Sequence, residues 1–277
     1  MNSEVLSIDH EGSVATLWLD RADKRNAMGP AFWSDLPVAM AELSGDESVN
    51  AVVIAAKGPH FSVGLDLKAM ASLLSGDGGS RDSGQRSSAA AAASVRAGVK
   101  RMQGSISSVA DCPKPVVAAV HGYCIGGGVD LISACDIRLA SAESVFSVRE
   151  TKMAIVADLG SLQRLPRIIG AGHLAELAYT GKDIPSQRAK EIGLVNDVLE
   201  DADATLEAAT ALATEIASNS PLAVQGTKSV IRAADRRAID EGLEYVAVWN
   251  SGFLQSNDLT EALAAFMEKR TPKFTGR

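Results

Sequence analysis

The feature that most constrains the fold is a short apolar run, Val116–Val120, that leads into three consecutive glycines at residues 126–128. Because Pro115 and Gly122 bound this run, it is typical of a strand covered on both faces in an α/β protein. The residues after the glycines, 129–134, favour a helix that faces a core. Strand, glycine turn and helix N-terminus in this order can stabilise an anion.

A second glycine-containing turn, residues 60–67, follows another apolar run at residues 51–56. A carbonyl that becomes an enolate needs N–H donors where its negative charge develops, so two such turns can form an oxyanion hole. The alternative is that the glycines only permit tight turns and close packing. Neither turn has the Walker or dinucleotide-binding pattern, which disfavours ATP and NAD as ligands.

Three acids stand in otherwise apolar, small-residue surroundings: Asp130, Glu150 and Asp158. Burying carboxylates is costly, and acids that share a pocket raise one another's pKa, so that one can accept a proton while another donates one. Each acid also has a structural alternative. These alternatives are an ion pair with Arg138 or the capping of a turn for the first, an ion pair with Lys152 for the second, and capping of a helix near Gly160 for the third.

Composition and charge narrow the class of protein. A net charge of -7 repels a phosphate backbone, so we expect no nucleic-acid partner. Three cysteines without Cys-x-x-Cys spacing and four scattered histidines predict no metal site. No apolar stretch is long enough to span a bilayer, and neither a signal peptide nor a C-terminal Ser-Lys-Leu is visible, so we expect a cytoplasmic protein with no membrane partner.

The order of predicted elements suggests one working unit in two parts. Residues 5–8 and 14–19 predict a hairpin, residues 29–43 a helix with a kink at Pro37, and nearly everything after residue 201 a helix. We therefore expect a catalytic core at residues 1–200 and a helical region at 201–277. Residues 72–94 are rich in Gly and Ser before a run of alanines, and their first half is predicted to be a mobile loop near the site.

Taken together, these motifs resemble the enoyl-CoA hydratase/isomerase (crotonase) family from residue 13 to residue 274. Residues 20–28 resemble its first CoA-binding segment, although Ala22 replaces the usual proline. The two glycine turns resemble the segments whose backbone N–H groups hold the thioester oxygen, here those of Leu65 and Gly127. The resemblance implies an α/β fold with a spiral core of repeated ββα turns, and a C-terminal helical region that forms a homotrimer or homohexamer.

The resemblance also implies a substrate and its contacts. The substrate would be an acyl-CoA thioester of fatty acid β-oxidation, and CoA would contact Lys24, Arg25, Ala27 and Lys273. No separate cofactor is implied, because the CoA belongs to the substrate.

The position of Asp158 distinguishes subgroups of this family. Hydratases resemble one another in having a small residue there, whereas dienoyl-CoA isomerases have an aspartate. With Asp130 and Glu150 as the other catalytic acids, the resemblance implies an isomerase that converts a 3,5-dienoyl-CoA to a 2,4-dienoyl-CoA. The alternatives are a 2-enoyl-CoA hydratase and a non-catalytic CoA- or RNA-binding member of the fold.

Overall fold

A computed structural model describes residues 3–70 and 87–277 of the chain. Its main sheet has six strands in the order β1-β2-β3-β4-β6-β9, in which β1 and β2 form an antiparallel hairpin and the remaining pairs are parallel. These strands are β1 (Leu6–Glu11), β2 (Val14–Leu19), β3 (Ala51–Ala56), β4 (Val116–Val120), β6 (Ile137–Ser141) and β9 (Asp197–Leu199). A three-stranded sheet, in the order β5-β7-β8, contains β5 (Tyr123–Ile125), β7 (Val145–Ser147) and β8 (Ile184–Pro185).

Helices surround these two sheets. They are α1 (Pro30–Gly45), α2 (Ser88–Asp111), α3 (Gly127–Ala134), α4 (Ser161–Ile169), α5 (Ala171–Thr180), α6 (Ser186–Glu191), α7 (Ala202–Ala217), α8 (Pro221–Ala233), α9 (Arg236–Phe253) and α10 (Asn257–Glu268). Two short 3₁₀ helices span Ala22–Lys24 and Glu150–Met153. Among the described helices, none combines the length and apolar character needed to cross a membrane.

The central strands are covered on both faces, as their continuous apolar runs predict. Side chains alternate across a strand, so Val52 and Ile54 of β3 join the larger core while Val53 faces the other way. The second face packs against α7, whose Ala209 and Ala213 have no exposed surface. Small residues on both partners allow this helix to approach the sheet closely.

Several local predictions are confirmed, with differences at the edges. The N-terminal hairpin is present, and the strands at Ala51–Ala56 and Val116–Val120 have the predicted bounds. Helix α1 continues through Pro37 to Gly45. The predicted mobile loop falls on residues 72–86, outside the described residues, while the alanines after it belong to α2.

The division of the chain at residue 200 stays a prediction. Strand β9 ends at Leu199 and only helices follow among the described elements, in line with the predicted boundary. However, α7 lies beyond that boundary and packs against the main sheet. The C-terminal helical region therefore contributes to the core as well as to the surface.

Candidate active site

The two glycine turns lie side by side because the segments that carry them pair. The N–H of Ser62 donates to the carbonyl oxygen of Tyr123 at 2.9 Å, and the N–H of Ile125 donates to that of Ser62 at 3.0 Å. Gly64 has a φ of +83°, and a Cβ there would lie 2.7 Å from the oxygen of Ile125 and 3.3 Å from the nitrogen of Gly127. Only glycine allows the turns to approach this closely.

This contact leaves two backbone donors free beside each other. Among the hydrogen bonds of the described residues, none uses the N–H of Leu65 or that of Gly127. Gly127 is the first residue of α3, where an N–H has no acceptor within the helix and the helix dipole is positive. Both residues line the same cavity. We refer to these two N–H groups as the oxyanion site.

The turn that carries Leu65 is held to the preceding segment by an ion pair. The Arg21 guanidinium lies 2.8 Å from the carboxylate of Asp66 and donates to the carbonyl oxygen of Ala27 at 3.1 Å. The Asn26 amide, 5% exposed, donates to the backbone oxygens of Lys57 and His60 at 2.9 and 2.8 Å. These supports lie inside the predicted CoA-binding segment, but the sequence alone gave them no role.

A cavity of about 570 Å³ contains the oxyanion site and all three predicted catalytic acids. We refer to Asp130, Glu150 and Asp158 as the acid cluster. Apolar side chains from α1, α2, residues 153–155 and the C-terminal region form much of the remaining wall: Trp33, Val95, Val99, Met102, Met153, Ile155, Leu254 and Phe266. An apolar enclosure of this kind suits an acyl chain. It also raises the free-energy cost of a negative charge on each of the buried acids.

Asp130 stands in the first turn of α3 and is 1% exposed. Its Oδ1 accepts the N–H of Ser161 at 2.6 Å. Burial raises its pKa to about 6, although the Ser161 hydrogen bond and the charge of Arg164 oppose the rise. The alternative pairing with Arg138 is wrong, because that guanidinium donates to the backbone oxygens of Leu194 and Cys135.

Glu150 begins the second 3₁₀ helix, with its carboxylate close to Gly126. A Cβ on Gly126 would lie 3.3 Å from Oε1 of Glu150. The other oxygen, Oε2, is buried and has no hydrogen-bond partner among the described residues. Burial, together with the negative charges of Asp130 and Asp158, raises the pKa of Glu150 to about 8. In the described part of the chain no ion pair joins it to Lys152, whose side chain lies beside Gly181.

Asp158 faces the same cavity from the segment before α4. Its Oδ2 accepts a hydrogen bond from the side-chain amide of Asn250 at 2.7 Å. Burial raises the pKa of Asp158 to about 7, a rise that the Asn250 hydrogen bond opposes and the charge of Asp130 reinforces. It does not cap α4, whose N-cap is Gly160 without a side-chain hydrogen bond.

Two buried amides that hydrogen-bond to Asp158 were not predicted from the sequence. Asn250 lies on α9 and is 1% exposed, and the Gln103 amide on α2 donates to the backbone oxygen of Asp158 at 2.8 Å. Each is a polar residue on the buried side of an amphipathic helix. That pattern indicates a buried polar residue, but it does not identify its partner. Asp158 is 92 residues from Asn250 and 55 residues from Gln103 in the sequence.

The predicted CoA-binding residues separate into two groups. Arg25 and Ala27 line the cavity, together with Arg149 and Lys68. Lys24 is not among the lining residues described, and its side chain is 60% exposed. Lys273 lies in the C-terminal tail, where its backbone N–H donates to Glu261 at 2.8 Å and its side chain borders a different groove.

The chain is similar to known proteins over most of its length. The family model for enoyl-CoA hydratase/isomerase matches residues 9–277. The chain is 40% identical to the peroxisomal delta(3,5)-delta(2,4)-dienoyl-CoA isomerase of Arabidopsis thaliana, over 98% of this chain and 96% of that protein. It is 42% identical to the mitochondrial delta(3,5)-delta(2,4)-dienoyl-CoA isomerase of Dictyostelium discoideum, over 94% of this chain and 87% of that protein.

Solved structures share the fold over nearly the whole chain. An enoyl-CoA hydratase from Mycobacterium avium subsp. paratuberculosis superposes with a TM-score of 0.83 at 25% identity, covering 99% of this chain and 100% of that one. This agreement confirms the predicted crotonase-type α/β fold.

The predicted cytoplasmic location is wrong. The similar isomerases that carry a location in their names are peroxisomal or mitochondrial. Our expectation rested on missing address motifs, and such motifs are read by receptors independently of the fold and the active site.

The family model covers most of the chain, and the oxyanion site and acid cluster lie within the matched residues. The identity to the two isomerases extends over the same region. This chain is therefore a member of the enoyl-CoA hydratase/isomerase family.

Proposed function

We propose that this protein is an isomerase that converts a 3,5-dienoyl-CoA to the conjugated 2,4-dienoyl-CoA. The observation that carries the proposal is the third acid, Asp158, in one cavity with Asp130, Glu150 and the oxyanion site. A reaction that moves two double bonds needs proton transfer at two distant carbons, C2 and C6. Relatives 40–42% identical over nearly the whole chain bear the name of this activity.

The oxyanion site supplies the first part of the mechanism. The thioester oxygen accepts hydrogen bonds from the N–H groups of Leu65 and Gly127, which makes the C2 protons more acidic. Loss of a C2 proton forms a dienolate whose negative charge is spread from the thioester oxygen along the conjugated carbons. These donors stabilise that charge more strongly than they stabilise the neutral substrate.

Two acids then move the protons. Glu150 removes a proton from C2, the electron pair shifts both double bonds towards the thioester, and Asp158 delivers a proton to C6. The overall composition of the substrate is unchanged. Because the reaction only relocates protons and electron pairs, we propose that it requires no metal and no cofactor beyond the CoA of the substrate.

The pKa values of the two acids suit such an exchange. Burial holds the pKa of Asp158 at about 7 and that of Glu150 at about 8. Turnover leaves a proton on Glu150 and none on Asp158, and with pKa values near neutral Glu150 can release its proton to solvent while Asp158 takes one up from solvent before the next turnover.

Asp130 has a supporting role in this scheme. Its negative charge raises the pKa of Glu150, while the hydrogen bond from Ser161 and the charge of Arg164 favour the ionised form of Asp130 itself. Its position is fixed by the N–H of Ser161. A fixed anion at this place keeps Glu150 a strong enough base to accept a proton from C2.

For the CoA part of the substrate we propose contacts with Lys24, Arg25, Ala27 and Lys273. The position of Arg25 and Ala27 in the cavity wall supports the first segment. A few basic side chains are sufficient to bind the phosphates of one nucleotide. Lys273 borders a separate groove formed by the C-terminal tail and α10.

We also propose that the protein assembles as a homotrimer or homohexamer through its C-terminal helices. Tyr245, Trp249 and Phe253 form an exposed row along α9, with ring centroids 6.5 Å apart for the first pair and 4.6 Å for the second. On α8, Leu222, Val230 and Ile231 are also exposed. Exposed apolar surface of this extent is typical of a protein interface.

Ultraviolet absorbance tests the proposed activity, because the 2,4-dienoyl thioester is a new conjugated chromophore. Purified protein is given a 3,5-dienoyl-CoA and, in parallel, a 2-enoyl-CoA. We expect the dienoyl band to grow and the enoyl band to persist. Loss of the enoyl band without a dienoyl product would make the protein a hydratase, and no change in either substrate would contradict both activities.

A further inference from the structure

The C-terminal helix α9 reaches the catalytic centre through one buried residue, Asn250. Its side-chain nitrogen Nδ2 donates to Oδ2 of Asp158 at 2.7 Å and to the backbone oxygen of Val156 at 2.9 Å. Both partners are acceptors, so the amide must present its NH₂ to them, and the flipped amide would bring its own oxygen against two oxygens. The orientation of Asn250 is therefore determined by its surroundings.

This orientation makes the two oxygens of Asp158 unequal. Oδ2 receives an N–H and is the favoured site of negative charge. If the carboxyl proton were on Oδ2 at the side that faces Asn250, the hydrogen bond from Asn250 would be lost. The proton is therefore favoured on Oδ1. Asp158 lines the cavity, whereas Asn250 is not among the residues described as lining it.

We propose that Asn250 is a positioning residue that directs the transferable proton of Asp158 to Oδ1, the oxygen available to C6 of the substrate. This inference rests on the proposed isomerase function and adds a residue to it. It also makes α9, from the C-terminal helical region, part of the apparatus that moves protons. Within residues 3–70 and 87–277, the other charged groups that act on this carboxylate are Asp130 on α3 and Glu150 on the second 3₁₀ helix, both acids.

Gln103 provides a matched control for Asn250. It is also a buried side-chain amide, 2% exposed, and it also ties α9 to the loop of Asp158, through the backbone oxygens of Leu243 and Asp158 at 2.9 and 2.8 Å. Its contact is with the main chain of Asp158 and leaves the carboxylate untouched. Loss of either amide weakens the same packing, but only one loss removes a hydrogen bond from the carboxylate.

The test compares Asn250→Leu with Gln103→Leu. We expect Asn250→Leu to lower kcat about tenfold to a hundredfold with KM within about twofold, because binding is unaffected and proton delivery is impaired. It should also move the alkaline side of the kcat/KM profile up by about one pH unit, because the carboxylate loses a stabilising donor. Gln103→Leu should lower the melting temperature without this pH shift.

A measurement that does not depend on activity separates this inference from the proposed function. The ¹³C resonance of the Asp158 carboxyl group is titrated in the wild-type protein and in Asn250→Leu, or in Asn250→Ser if the leucine variant does not fold. We expect the midpoint to rise in either variant, by less in the serine variant, which retains a hydroxyl donor. An unchanged midpoint, or equal shifts in Asn250→Leu and Gln103→Leu, would overturn the assignment even if isomerisation were demonstrated.

Discussion

The oxyanion site and the acid cluster lie in one cavity but are built in different ways. The oxyanion site consists of main-chain N–H groups, and its geometry depends on Gly64 and Gly127 coming together through paired segments. The acid cluster consists of side chains whose properties depend on burial and on donors from distant helices. The first stabilises charge without taking up a proton, and the second takes up protons because it cannot easily hold charge.

This difference makes the two regions respond to opposite kinds of change. The acid cluster should be sensitive to the removal of an ionisable group that leaves shape intact. The oxyanion site should be sensitive to an added methyl group that leaves charge intact. Variants of each kind can therefore test whether the two parts of the site act as separately as their construction indicates.

The largest effect is expected for Asp158→Asn. The asparagine oxygen can still accept the hydrogen bond from Asn250, but the side chain has no proton to deliver to C6, so isomerisation should fall about 10³-fold. Binding of a saturated acyl-CoA, measured by calorimetry, should remain within about twofold of wild type. Near-normal turnover would remove Asp158 from the mechanism.

A smaller loss is expected for Gly64→Ala. Its Cβ would meet the Ile125 oxygen at 2.7 Å and force the two turns apart, so kcat should fall about 10²-fold through loss of charge stabilisation. Gly12→Ala is the matched control, because Gly12 also has a positive φ, +57°, but has nothing within 4 Å of the added Cβ. Equal activity in the two variants would show that the approach of the turns is not needed.

The smallest effect is expected for Glu150→Gln, measured as a change in melting temperature with pH. It distinguishes a buried acid of the acid cluster from an exposed one. Glu150 has a pKa of about 8 in the folded protein and an ordinary value of 4.5, so its proton is held more tightly when the chain is folded. The contribution of Glu150 to the free energy of unfolding is therefore fully present below about pH 4.5 and is lost as the pH rises towards 8. Glu150→Gln should raise the melting temperature at pH 9 more than at pH 5, by about 2–4 °C for each kcal/mol relieved.

Glu207→Gln, on the exposed side of α7, is the control for that measurement. It removes one carboxylate from the surface and should give a similar small change at both pH values. If the change in melting temperature for Glu150→Gln is also the same at both pH values, ionisation of the buried Glu150 does not lower the free energy of unfolding.

The comparison also explains what the sequence could predict. The glycine turns are contiguous motifs next to strongly apolar strands, so β3, β4, Leu65 and Gly127 could be located without a structure. The three acids could be located because each stands in a recognisable segment. Their protonation could not, because it depends on the positions of the acids relative to one another and on burial.

The residues that were missed depend on tertiary contacts. Asn250 reaches Asp158 from 92 positions away, and Ser161 reaches Asp130 from 31 positions away through its backbone N–H. A backbone donor has no signature in the residue type that carries it. The alternatives proposed for Asp130 and Asp158 are wrong for the same reason. Each assumed a partner close in sequence, whereas the carboxylate accepts its hydrogen bond from a residue on another helix.

The division of proton transfer between Glu150 and Asp158 is tested most directly by isomerisation of a 3,5-dienoyl-CoA in D₂O, with the product analysed by mass spectrometry and NMR. If Glu150 removes the C2 proton while Asp158 supplies a different one, Asp158 exchanges with solvent between turnovers. The 2,4-dienoyl-CoA should then carry close to one deuterium at C6. A product formed at the normal rate with only hydrogen at C6 would mean that the C2 proton itself is carried along the chain, and would contradict the division of labour between the two acids.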